Sequence, residues 1–156
     1  MTDRPSEDEI QVWQRRLGSS ANNRGWTLSE QATRSPAEDA EMLHAAHASR
    51  YLWSKVGNEK NFALGDLLLG HVHALLGQGQ SAMRYANAAF DFFSSRVSEP
   101  WEMALVHAVL CNAAYAAGCV DLHRTHFATA VDITNTMAIP EERKIIEATL
   151  NVIPKP

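Results

Sequence analysis

Strand signals are nearly absent from this 156-residue chain, because alternating runs of β-branched residues do not occur. That excludes sandwiches and barrels. No stretch approaches the roughly 20 apolar residues that cross a bilayer, so no membrane partner is expected. Cysteine is scarce as well. Cys111 and Cys119 lie eight residues apart, a spacing that matches no metal or redox signature, and two cysteines do not staple a chain of this length. Positive charge is neither abundant nor clustered: 14 Lys and Arg stand against 18 Asp and Glu, for a net charge of −4. A nucleic-acid binder should carry a basic patch, so none is expected as a partner. The opening "MTDRPSEDEI" is acidic and polar, unlike a secretory signal or an Arg-rich transit peptide. These absences together predict a cytoplasmic protein with buried thiols.

What is present is helix. Hydrophobic residues make up 46% and charged residues 21%, a globular composition. "SPAE" at Ser35 to Glu38 combines an N-cap serine, a proline at the first helical position and a capping-box glutamate. The helix it opens is expected to run to Val56 and stop at Gly57. Asn58 caps a second, which runs to Leu76 and ends at Gly77. A third spans about Gly79 to Val97, and Ser98 with Pro100 opens a fourth that ends at Gly118. A fifth covers about Val120 to Met137, and Pro140 opens a short sixth that "IPKP" terminates. Breaks this short force neighbouring helices to be antiparallel.

The first 35 residues fit this pattern poorly. "IQVWQRRL" and "TLSEQATR" are expected to form two short helices around a "GSSANNRG" loop, capping a helical domain at 36–156.

An internal repeat underlies the series. A shift of 41 residues lays Leu69 on Leu110, Gly77 on Gly118, Ala86 on Phe127 and Ala89 on Ala130, with Gly70 on the similarly small Cys111. A fixed period with helix–turn–helix content marks an α-solenoid. The order Leu69-Gly70, His73, Gly77, Ala82, Ala86, Ala89 resembles the tetratricopeptide repeat, and Leu110-Cys111, Ala114, Gly118, His123, Phe127, Ala130 is a weaker copy. The period exceeds the usual 34 by about two helical turns. The segments "EDAEMLHAAHASRYLW", "WEMALVHAVLCNAAYAAG" and "NVIP" are also similar to a group of short bacterial proteins with no assigned activity.

The resemblance implies an all-α, tetratricopeptide-like right-handed superhelix of antiparallel helix hairpins, acting as a non-catalytic interaction or scaffolding module without a cofactor. It also implies that the first helix of each pair lines a concave groove. Carried over, that groove presents Leu64, Leu67, His71 and Leu75, then Leu105, Asn112 and Tyr115. So apolar a surface needs covering. The candidates are the segment with Trp13 and Trp26, a partner's helix, or a second copy in a homodimer.

Three groups of polar residues could carry chemistry. His44 with His47, and His123 with His126, place two imidazoles on one helix face. This leaves a metal- or small-molecule-binding protein as the alternative. A di-iron bundle would need a second Glu-x-x-His besides Glu41 and His44, and HExxH is absent. Asp66 lies in a helix that is leucine-rich on almost every side, where a carboxylate needs a partner. The 41-residue shift places Asp66 and His107 at equivalent points of adjacent first helices, which predicts a buried pair. Finally, Gly70 is expected to be a notch where two helices cross, since a mid-helix glycine costs about 1 kcal/mol relative to alanine.

Overall fold

The computed structural model describes residues 4–156. Seven helices follow one another: α1 (Glu7–Ser29), α2 (Pro36–Val56), α3 (Glu59–Leu75), α4 (Gly79–Ser94), α5 (Pro100–Ala116), α6 (Val120–Thr136) and α7 (Pro140–Asn151). Among the described residues there is no strand, and no helix is long and apolar enough to cross a membrane. The chain is all-α.

Local chemistry sets most of the boundaries. Ser35 receives the Glu38 amide on its side chain while the Glu38 carboxylate takes the Ser35 amide, a reciprocal cap. Asn58 and Asn61 do the same for α3. Ser6 and Glu9 do so for α1. For α5 the N-cap is Glu99 rather than Ser98, whose hydroxyl donates to the Phe93 carbonyl instead. Gly77 and Gly118 both have left-handed backbone, with φ of 72° and 75°. Each closes a Schellman turn: Gln78 and Cys119 donate to His73 and Ala114 at 2.8 Å, and the two glycines donate to Ala74 and Tyr115 at 3.0 Å. The same turn thus recurs 41 residues apart. Gly57 ends α2 differently, in extended backbone.

The N-terminal region departs from expectation. "GSSANNRG" is not a loop but the middle of α1, a continuous helix of 23 residues. Its two glycines are buried contacts rather than breaks. A Cβ on Gly18 would lie 3.3 Å from Nε1 of Trp53, and one on Gly25 would lie 2.9 Å from Cδ2 of Leu68. Close approach of α1 to α2 and α3 offsets the helix cost of glycine. Further along, Arg24 forks onto Glu41 at 2.7 and 3.0 Å, so α1 runs antiparallel to α2. The expected boundary at residue 35 therefore falls in the turn of a helix pair.

The most extensive contacts are α1 with α2, α3 with α4 and α5 with α6. The odd-numbered helices α1, α3, α5 and α7 also touch in succession. The core runs between these rows: Leu67, Val106, Val109, Phe93 and Ile146 are buried, together with the alanine ladder Ala82, Ala86 and Ala89. Gly70 sits where α3 meets α4 and α5. A Cβ there would lie 3.0 Å from Cγ1 of Val109 and 3.1 Å from the Ala86 nitrogen, which is the predicted notch.

Candidate functional site

A cleft of about 380 Å³ opens where the odd-numbered helices converge. Trp26 and Glu30 of α1 form one wall, with Trp53 of α2 beside them. Leu64 of α3, Trp101 and Leu105 of α5, and Ile145 of α7 complete the apolar lining, and Ser19, Asn22 and Asn61 supply neutral polar groups. Ser19, Asn22, Trp26 and Glu30 recur at helical spacing, so a single face of α1 serves the cleft.

Behind this wall lies a buried polar pair. Trp26 stacks on the His71 imidazole, with centroids 5.6 Å apart and planes 23° from parallel. The Asn112 amide donates to His71 Nδ1 at 3.1 Å. Burial drives the His71 pKa down to about 3, with a smaller push from the Arg34 charge. The ring is therefore neutral, and its proton sits on Nε2. His71 and Asn112 are themselves 41 residues apart, so equivalent positions of α3 and α5 meet.

Of the residues expected to face a groove, Leu67, His71 and Asn112 are buried within the chain. They are core: Leu67 lies among the buried residues of α3, α4 and α5, and Trp26 of α1 covers His71, which Asn112 contacts. Leu64 and Leu75 are half-buried, Leu105 is almost wholly buried at the cleft, and Tyr115 is exposed. Trp26 does the covering, whereas Trp13 remains 57% exposed. The sequence could have shown this: Trp26 and Glu30 stand four residues apart, on one face of any helix that continues through Gly25.

The expected Asp66–His107 pair does not form. Asp66 accepts from Arg50 Nε at 2.8 Å, and His107 lies with its Nδ1 2.9 Å from that of His126. The register was right but the face was wrong. Position 66 lies five residues before position 71, about 140° around the helix, so it turns toward the even-numbered helices while 71 turns toward α5. Room for Arg50 comes from Gly65, whose added Cβ would lie 2.7 Å from the Arg50 Cδ. Arg50 also covers the Phe62 ring at 4.9 Å. Desolvation raises the Asp66 pKa, and the Arg50 contact acts against that rise.

The two histidine pairs separate as well. His44 is exposed, while His47 packs edge-on against His73 and Tyr85. His123 is buried, and its Nδ1 donates to the Cys111 carbonyl at 2.9 Å, away from the His107–His126 pair. Among the described residues no three His, Cys, Asp or Glu side chains converge to hold a metal. Both cysteines are free thiols: Cys111 is buried, as expected, which pushes its pKa up to about 12, whereas Cys119 is exposed because it lies in the turn that caps α6.

A pH dependence follows. His71 binds a proton near pH 6.5 when unfolded but only near 3 when folded, so between those values the unfolded chain binds more protons and stability falls as pH falls. Burial also lowers the pKa of His47, His107 and His126, with the same sign. Urea unfolding at pH 7 and pH 5 is expected to show a loss, of which His71 accounts for roughly 2 kcal/mol. His71→Leu should flatten the profile by that amount; an unchanged slope would show that His71 is protonated freely in the fold.

No protein-family model matches the chain, and no curated protein or solved structure is significantly similar to it.

Proposed function

We propose that the chain is a tetratricopeptide-like, right-handed helical-repeat module of the cytoplasm that binds a segment of a partner protein without catalysing a reaction. The cleft between the odd-numbered helices carries this reading. The four odd-numbered helices contribute to it in turn, as the inner helices of a repeat array would, with Trp53 of α2 added, and its three tryptophans and three aliphatic side chains are the kind of anchor pocket that dominates protein contacts. Recurrence of the glycine turn and of the His71–Asn112 contact at one spacing supports the repeat. Self-pairing through Leu67, the homodimer expected from sequence, would require the core of one chain to open, since Leu67 is fully buried within it.

The test is differential capture with purified wild type and Leu64→Arg, which places a charge in the cleft at a half-buried position. A protein retained by the wild type and lost from a Leu64→Arg variant of unchanged helix content, with binding then reproduced from purified components, is the expected result. Partners retained equally by both would place the interaction elsewhere.

A further inference from the structure

We propose that the tryptophan cleft receives a basic side chain of the partner segment, its ammonium or guanidinium group held against Trp26, Trp53, Trp101 and Glu30. This rests on the protein-binding reading above and names the chemistry of the occupant.

The chain uses four tryptophans in all, and three of them line this one cleft. Tryptophan has the most attractive face for a cation of any side chain. Five aromatic rings elsewhere carry the protein's own cations: Arg16 over Trp13, Arg50 over Phe62, Lys55 over Tyr51, Arg84 over Tyr85 and Arg96 over Phe92. Among the described residues, none of the three cleft tryptophans has such a partner, so these are the faces left for a cation from outside.

Charge points the same way. Glu30 is the one ionisable group in the lining, which contains no lysine, arginine or histidine. It caps the C-terminus of α1 four residues beyond Trp26, is exposed, and makes no ion pair among the described residues. Two cations stand next to lining residues in sequence: Lys60, beside Asn61, is paired with the buried carboxylate of Glu102, and Lys144, beside Ile145, lines a separate pocket with Pro140, Arg143 and Glu147. The ring stacked behind Trp26 is a neutral histidine, and the nearest charge behind it, that of Arg34, is paired with Asp39 at 2.7 Å. Leu64, Leu105 and Ile145 match the methylene stem that a lysine or arginine buries while its head group stays polar. Ser19, Asn22 and Asn61 offer oxygens to the remaining N–H groups.

The experiment is selection of random peptides displayed on phage against the wild-type protein, followed by titration of synthetic versions by tryptophan fluorescence. Glu30→Gln is the informative variant, because nothing in the structure depends on that carboxylate. The expected result is enrichment of peptides with lysine or arginine beside apolar residues. Replacing the basic residue by norleucine, or Glu30 by Gln, should each weaken binding about tenfold. Selected peptides that lack a basic residue, or that bind Glu30→Gln undiminished while losing affinity for Leu64→Arg, would overturn the charge assignment and leave the peptide-binding reading standing. If no peptide binds but tetraethylammonium quenches the wild type and not Glu30→Gln, the occupant is a free organic cation and the assignment to a protein segment is overturned. Binding of neither probe would overturn both.

Discussion

Leu67→Glu is expected to unfold the protein under conditions where the wild type is folded, not to change its subunit mass. Leu67 has no solvent exposure within a single chain, and it belongs with Ala63, Val106 and Val109 to the main core. A carboxylate there would lose its water without gaining a partner. Truncating one member of a buried ion pair, which leaves a comparable unpaired charge, costs about 3–5 kcal/mol, against a total stability of about 5–15 kcal/mol for a typical domain. Circular dichroism melts with light scattering at micromolar concentration check this. A mutant that stays helical while a wild-type dimer falls to monomers would put Leu67 between subunits, and would overturn its assignment to the core of one chain.

Gly70→Leu should be the second most damaging of these changes. The position is crowded from two sides: the Val109 side chain at 3.0 Å can yield slightly, but the Ala86 nitrogen at 3.1 Å belongs to the backbone of α4 and cannot move alone. Overpacking of this kind costs about 1–3 kcal/mol, and a leucine must extend well beyond the Cβ. Helix propensity works the other way, favouring leucine over glycine by somewhat under 1 kcal/mol. The net expectation is a loss, read as a melting temperature lower by about 2–4 °C for each kcal/mol. Gly70→Ala should fall between the two proteins. A raised melting temperature in Gly70→Leu would show that α3 and α4 do not need this close approach.

The cleft wall is tied to the same packing. The notch at Gly70 draws α3 onto α4 and α5, and the contact one residue later sets His71 on Asn112. His71 in turn backs Trp26 at the cleft wall.

Which helices form, and where nearly all of them stop, was determined by the sequence itself from Ser35 onward; α4 is the exception, ending at Ser94 rather than near Val97. Caps, glycine turns and N1 prolines act through hydrogen bonds within a few residues, so the local chain contains the whole interaction. Recurrence of the glycine turn 41 residues on was equally legible, and Gly70, Gly77 and Gly118 behave as their spacing predicts. Tertiary structure decided the rest. "GSSANNRG" reads as a loop because the gain that holds it helical comes from Trp53 and Leu68 on other helices, and local propensity does not contain that term. Gly79 carries no local signal either, yet a Cβ there would lie 2.6 Å from the backbone of Ala116 and Ala117. Asp66 and His107 were assigned the right register and the wrong partners, since a carboxylate takes whichever cation the packing brings within reach, and here that is Arg50. The cleft was invisible for the same reason. Trp26, Trp53 and Trp101 are separated by tens of residues, and only the meeting of α1 with the helices beyond α2 places them around one space.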